Sequence, residues 1–260
     1  MGRIEAAFSE LKRQGKKGFI PFITAGDPDL DTTGELLIEL SGATVIELGV
    51  PFSDPMADGP VIQQASERAL KHGVGIGDVL GTVANVRRRI ETPIILFSYY
   101  NPLLQFGLKR LAQEAKAAGI DGVLVTDLSP EEAGEFESEL RANDLDMIFL
   151  IAPTSTDERL KLVAQHARGF IYAVSRAGVT GVRTSVSAEA EKLVNRMRKF
   201  SSLPIAVGFG VYTREHVKDY QRYADAVVIG SAIVAEIERL QGATTDLAKR
   251  IGEFVKELSD

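Results

Sequence analysis

Residues 94–126 read IILFSYYNPLLQFGLKRLAQEAKAAGIDGVLVT, and this stretch decides the fold. Ile94 to Ser98 and Gly122 to Thr126 are short, apolar, β-rich runs, which read as strands buried on both faces. Leu108 to Ala118, between them, has helical periodicity. A helix joining two such strands is a crossover, and a crossover makes the strands parallel.

The same unit recurs in both directions along the chain. Further strands are expected at Phe19 to Thr24, Val45 to Leu48, Met147 to Ile151, Phe170 to Val174, Ile205 to Val207 and Val227 to Ile229, giving eight in all. Helices are expected at Asp31 to Leu40, Val61 to Lys71 with Ile76 to Ile90, Glu131 to Ala142, Asp157 to Ala167, Ala188 to Phe200 and Thr213 to Tyr220. An extra helix precedes the first strand, where Ile4, Ala7, Phe8 and Leu11 share one helical face. A last pair follows the eighth strand and opens with a short helix over Ala232 to Glu236. Eight strand–helix units in roughly 250 residues suit an α/β fold closed into a (β/α)8 TIM barrel, with an open doubly wound sheet as the structural alternative. No linker, low-complexity tract or charge block interrupts the alternation, so residues 1–260 are expected to form a single domain.

The chain is 45% hydrophobic and 25% charged, enough apolar material for one sizeable core. A net charge of -6 leaves no electrostatic footprint for nucleic acid or an anionic membrane, so small-molecule or protein partners are expected. The absence of cysteine excludes disulfides, thiolate metal sites and a cysteine nucleophile. Met1 to Gln14 scatters charges among its apolar residues, unlike a signal peptide, and the expectation is a cytoplasmic protein.

In a barrel, function belongs where strands end and the following loops begin. In Val45-Ile46-Glu47-Leu48-Gly49, alternation turns Val45, Glu47 and Gly49 to one face and Ile46 and Leu48 to the helices. Glu47 would then enter the barrel mouth, where partial desolvation raises a carboxyl towards the range of a general acid/base at neutral pH. The alternative is a solvated carboxylate at a strand end. The loop that follows, Pro51-Phe52-Ser53-Asp54-Pro55-Met56-Ala57-Asp58-Gly59-Pro60, is stiffened by three prolines and can bring Asp58 to the mouth. Here the alternative is an aspartate capping the next helix.

Two late strands run into glycine turns, Gly208-Phe209-Gly210 and Gly230-Ser231, where barrels commonly hold phosphate. Glycines let backbone N–H groups approach an anion, the helix N-terminus after Gly230 adds a favourable field, and Ser231 offers a hydroxyl. The stretch Ser175 to Gly181 after the sixth strand would be a third contributor, with Arg176 and Arg183 there readable as solvated surface charges. The twelve lysines all fall in expected helices, their ends or flanking turns, which disfavours a Schiff-base mechanism. His72, His166 and His216 lie far apart, without ligand spacing, and are expected at the surface; no metal and no cofactor are implied. Carbon–carbon cleavage with two carboxylates alone needs a substrate that takes up the developing charge itself, as an indole protonated at C3 does.

The run Glu47-Leu48-Gly49-Val50-Pro51-Phe52-Ser53-Asp54-Pro55, continued by Ala57-Asp58-Gly59-Pro60, closely resembles the tryptophan synthase alpha subunit family. The resemblance extends through Pro21 to Pro28, Tyr172 to Gly181, Gly208 to Gly210 and Gly230 to Val234. It implies cleavage of indole-3-glycerol phosphate to indole and glyceraldehyde 3-phosphate, with Glu47 as proton shuttle, Asp58 holding and deprotonating the indole N–H and Tyr172 near the glycerol chain. It also implies that Phe22, Tyr99 and Phe209 enclose the indole and that Gly181, Gly210, Gly230 and Ser231 hold the phosphate. Thr180 would hold the sixth loop against Asp58. The family works with a pyridoxal-phosphate β subunit in an alpha-beta-beta-alpha heterotetramer, which makes Pro51, Asp54, Asn101 and Asp127 candidates for the partner face or for loop coupling. Two departures stand out: the connection Glu39 to Thr44 is about two residues short, with Thr44 in place of a common acidic residue, and Ser129 replaces a frequent proline.

Two other readings start from the same residues. One is a different phosphate-binding barrel, such as a sugar-phosphate epimerase or the indole-glycerol-phosphate synthase, which typically needs a strand-end lysine or metal ligands. The other is a mainly regulatory subunit that activates a partner enzyme, against which the presence of both carboxylates argues.

Overall fold

A computed structural model describes residues 1–175, 186–208 and 210–259. Its strands are β1 (Gly18–Thr24), β2 (Ile46–Gly49), β3 (Ile94–Ser98), β4 (Gly122–Val125), β5 (Asp146–Ile151), β6 (Ile171–Val174), β7 (Ile205–Gly208) and β8 (Ala226–Ile229). They follow chain order around a closed barrel in which each strand runs parallel to its neighbours and β8 returns to β1. Closure removes the open sheet from consideration.

The helices are α1 (Arg3–Gln14), α2 (Leu30–Glu39), α3 (Pro60–Lys71), α4 (Ile76–Val86), α5 (Tyr100–Phe106), α6 (Leu108–Ala118), α7 (Gly134–Ala142), α8 (Asp157–His166), α9 (Val186–Met197), α10 (Arg214–Gln221), α11 (Ser231–Leu240) and α12 (Leu247–Ser259). Among the described residues no helix is long and apolar enough to cross a membrane.

Strand alternation divides the core into two layers. Phe19, Ile23, Ile46, Leu48, Leu96 and Val123 face outward and pack under the helices. Ile20, Val45, Ile95, Leu124, Ile148 and Val228 fill the barrel itself. Each fully buried side chain of this size contributes roughly 1.5–3 kcal/mol through apolar area removed from water.

The extra N-terminal helix α1 plugs the barrel from below. Its Ile4 and Phe8 belong to the interior layer, and the Phe8 and Phe170 rings lie 5.8 Å apart. At the same end Asp121 accepts the Ile94 N–H at 2.9 Å and pairs with Arg87 at 2.7 Å and Arg3 at 3.0 Å, which ties α1 to the foot of β3. The shortened connection before β2 is also anchored, since the Thr44 hydroxyl accepts the Phe19 N–H at 3.0 Å.

Several elements differ from the sequence expectation. The helix expected to reach Ile90 gives way at Val86 to a 3-10 turn over Arg87–Arg89, where the Arg87 guanidinium turns back onto the Gly119 and Thr92 carbonyls. Helix α5 was not anticipated; Pro102 within its first turn lacks only an N–H that would be unpaired there. The helix after β8 starts at Ser231 and continues to Leu240, past the expected end at Glu236. Of the three histidines, His72 is exposed, and His166 and His216 are half-buried. His166 lies in the seam between α7 and α8, with Nδ1 2.6 Å from the buried Glu137 carboxylate.

Candidate active site

Glu47 lies on β2 in register with Phe22 of β1 and Ile95 of β3. It is 1% exposed, and its Oε1 has no hydrogen-bond partner among the described residues. Burial without compensation raises its pKa from 4.5 to about 8, so the carboxyl carries its proton at neutral pH. The solvated strand-end alternative is thereby excluded.

Asp58 sits half-buried at the end of the β2–α3 loop. The N-cap of α3 is Gly59, with no side-chain cap, so the capping alternative fails as well. Burial raises the Asp58 pKa to about 6, and a hydrogen bond from Tyr99 opposes the rise. The loop is strapped from two sides: the Ala57 N–H donates to the Tyr99 hydroxyl at 2.8 Å, and Gln63 Nε2 donates to the Asp58 carbonyl at 2.8 Å. Phe52 of the loop lies against the Tyr99 ring, with centroids 5.2 Å apart.

Tyr172, on β6, is buried in the barrel interior. Burial and then the charges of Glu47 and Asp58 push its hydroxyl pKa well above the usual value, so it stays a neutral donor within the field of both carboxylates. Phe22 meets Phe97 edge-on at 5.2 Å between centroids. A recess beside these rings is lined by Asp58, Tyr99, Ser66, Ser98 and Thr24, and Thr24 Oγ1 has no partner among the described residues.

Two strand glycines make room for this arrangement. A Cβ on Gly49 would lie 2.6 Å from Phe22 Cζ, and one on Gly208 would lie 2.1 Å from the Tyr172 hydroxyl oxygen. Neither the alternation of β2 nor the phosphate turn after β7 signals the clearance that Gly49 and Gly208 give these rings. Phe97 was also missed, although alternation from Ile95 along β3 signals that it points inward.

The β8 end forms the third part of the site. Gly230 precedes α11 directly, and a Cβ there would stand 3.3 Å from Phe22 Cβ, so the helix N-terminus opens beside the aromatic ring. The N–H groups of that first turn have no intrahelical acceptors and attract an anion. Gly210 lies in an exposed turn with φ +72, a left-handed conformation that favours glycine. Thr180, Gly181, Phe209, Arg176 and Arg183 lie outside the described residues. Of the partner-face candidates, Asp54, Asn101 and Asp127 are exposed and Pro51 is buried; Asp127 accepts the Tyr100 N–H at 2.7 Å. Among the described residues no group of three or more histidines and carboxylates could hold a metal ion.

A buried acid, a partly buried carboxylate and a helix terminus open to an anion now stand around one barrel mouth. The family model described as tryptophan synthase alpha chain matches residues 8–260. The chain belongs to the tryptophan synthase alpha chain family. It is 48% identical to the tryptophan synthase alpha chain of Geobacter sulfurreducens, covering 100% of this chain and 98% of that one. The crystal structure of tryptophan synthase subunit alpha from Legionella pneumophila is similar, with a TM-score of 0.92 and 39% identity over 100% of this chain and 97% of that one. A chain of the tryptophan synthase complex from Pyrococcus furiosus is also similar, with a TM-score of 0.83 and 39% identity over 93% and 97% of the two chains. The family resemblance carried by the Glu47-to-Pro60 motif therefore agrees with a match over residues 8–260.

Proposed function

We propose that Glu47 and Asp58 are the acid/base pair with which this alpha chain cleaves indole-3-glycerol phosphate to indole and glyceraldehyde 3-phosphate. Membership of the family makes the chain a carbon–carbon lyase of tryptophan biosynthesis. The observation that carries the residue assignment is the Glu47 carboxyl, buried, protonated at neutral pH and without a partner for Oε1 among the described residues.

The steps balance without any further reagent. Glu47 gives its proton to C3 of the indole, which turns the ring into an indoleninium cation. Asp58, ionised, holds the ring N–H and stabilises the positive charge that develops on nitrogen. Electrons of the bond between C3 and the first glycerol carbon flow into the cation, that bond breaks, and the hydroxyl proton on the departing carbon returns to Glu47. Indole and an aldehyde leave, and both carboxyl groups regain their starting states. Tyr172 donates near the glycerol chain, Phe22, Tyr99 and Phe209 enclose the ring, and Gly181, Gly210, Gly230 and Ser231 take the phosphate. Thr180 steadies the sixth loop against Asp58.

Glu47→Gln and Asp58→Asn, assayed for indole release, test the pair. Each is expected to lower turnover by about 10²–10⁴-fold. Wild-type rates in both variants would overturn the assignment.

The partner reading is a pyridoxal-phosphate β subunit that receives the indole, in an alpha-beta-beta-alpha assembly. It is supported by two large apolar side chains left exposed, Met56 of the Asp58 loop at 92% and Leu104 of α5, one turn from Asn101. Indole release measured with and without a β subunit tests the coupling, and full activity of the chain alone would contradict it. A phosphate ester does not cross a membrane unaided, so the enzyme belongs with its substrate in the cytoplasm.

A further inference from the structure

Helix α3 follows the loop that ends at Asp58, and α11 begins at Ser231. The seam between these two helices therefore sets how far the carboxylate stands from the helix terminus assigned to phosphate. One fastening of the seam is apolar: Phe22, Ala65 and Val234 cluster there, and Ile62 Cδ1 lies 3.5 Å from where a Cβ of Gly230 would be.

The other fastening is Arg68 of α3. Its Nε and Nη2 donate to the two carboxylate oxygens of Asp27, in the loop after β1, at 2.7 and 2.9 Å. Its Nη1 donates to Glu238 Oε1 of α11 at 2.9 Å. Asp27 is 1% exposed, and so needs a charged partner merely to be buried. Glu238 is 41% exposed and has water available, so desolvation does not account for the third arm. What that arm does is join α11 to α3 through a rigid planar group with fixed donor directions.

We infer that Arg68 is a positioning residue that sets the separation between Asp58 and the Gly230–Ser231 turn, an inference that rests on the function proposed above. A substrate with indole at one end and phosphate at the other must span that distance in a single pose. Its two halves, bound separately, need not.

Three ligands separate this role from a purely structural one: indole, glycerol 3-phosphate, and a non-cleavable analogue joining indole to phosphate through a three-carbon chain. They are titrated into wild type, Arg68→Met and Glu238→Ala, with steady-state cleavage measured alongside. Glu238→Ala leaves the Arg68–Asp27 pair in place, so the test does not depend on a variant that has lost its buried ion pair. The separate halves are expected to bind within about twofold of wild type, while the joined ligand weakens about tenfold in Arg68→Met and about threefold in Glu238→Ala, with KM raised more than kcat is lowered. Joined-ligand affinity that is unchanged in both variants, or that falls only in step with the two halves, overturns the inference. Wild type that neither binds glycerol 3-phosphate nor cleaves indole-3-glycerol phosphate overturns the functional reading, and the inference with it.

Discussion

Burial raises both carboxyl groups of the site, yet it leaves them in opposite states at neutral pH. Asp58, at about 6, is ionised, whereas Glu47, at about 8, keeps its proton. The proposed reaction needs that combination, so kcat/KM for cleavage is expected to be bell-shaped, rising through about 6 and falling through about 8. Steady-state rates across this range check it, and Asp58→Asn should remove the acidic limb. Glu47 also makes a prediction for stability. Between pH 4.5 and about 8 the folded chain holds a proton that the unfolded chain has released, so this group lowers stability as pH rises through that window. Glu47→Gln has no such proton and should be more stable than the parent at the top of the window by several kcal/mol, with the gap closing towards its bottom. Denaturant melts at several pH values measure this, and a variant less stable than the parent at the upper end would contradict it. Gly49→Ala would drive a methyl group into the Phe22 ring, so KM for the indole substrate is expected to rise roughly tenfold while the far-UV CD spectrum is kept.

Among the elements, α1 shows how an addition to the repeating unit serves the barrel without touching the site. It closes the N-terminal end, where Phe8 meets Phe170, while the carboxylates stand at the opposite end. Phe8→Ala should therefore cost about 3–5 kcal/mol in denaturant melts, with KM for the substrate within a factor of two of wild type. A change in KM as large as the loss of stability would mean that the two ends are coupled. The sequence showed α1 because its apolar spacing is helical, but nothing local told whether that face lies outside the barrel or under it. Helix α5 escaped notice because seven residues containing a proline carry too little periodicity, and its start depends on Asp127, far along the chain, accepting the Tyr100 N–H. The end of α4 was misplaced for the same kind of reason, since two of the Arg87 acceptors, Gly119 and Asp121, lie on the next strand–helix unit.

At the scale of the molecule, an anion bound at α11 should stabilise the fold through mass action, by roughly 2.7 kcal/mol at a hundredfold excess over Kd. Glycerol 3-phosphate is accordingly expected to raise Tm by several degrees. Ser231→Asp places a negative charge where the phosphate would sit, yet a helix N-terminus accepts an acidic residue well. Its own Tm should hold while the ligand-induced shift disappears. A shift that survives in this variant would move the phosphate away from Gly230–Ser231.

The sequence by itself determined the order of strands and helices, the parallel run of the strands, and the inward face of Glu47, whereas closure of the sheet into a barrel was decided by the tertiary structure. The features read from sequence rest on periods of 2 and 3.6 residues, which are written locally. It also supplied the family resemblance, through the unbroken Glu47-to-Pro60 motif. Only the tertiary structure decided that Glu47 is dry and protonated and that Asp58 is held by Tyr99 instead of capping a helix. It alone brought Gly49 and Gly208 against aromatic rings, and Arg68 between two carboxylates. Burial, electrostatic field and clearance depend on what other segments bring to the same place, and Arg68 stands 41 residues from Asp27 and 170 from Glu238. No local pattern carries that distance.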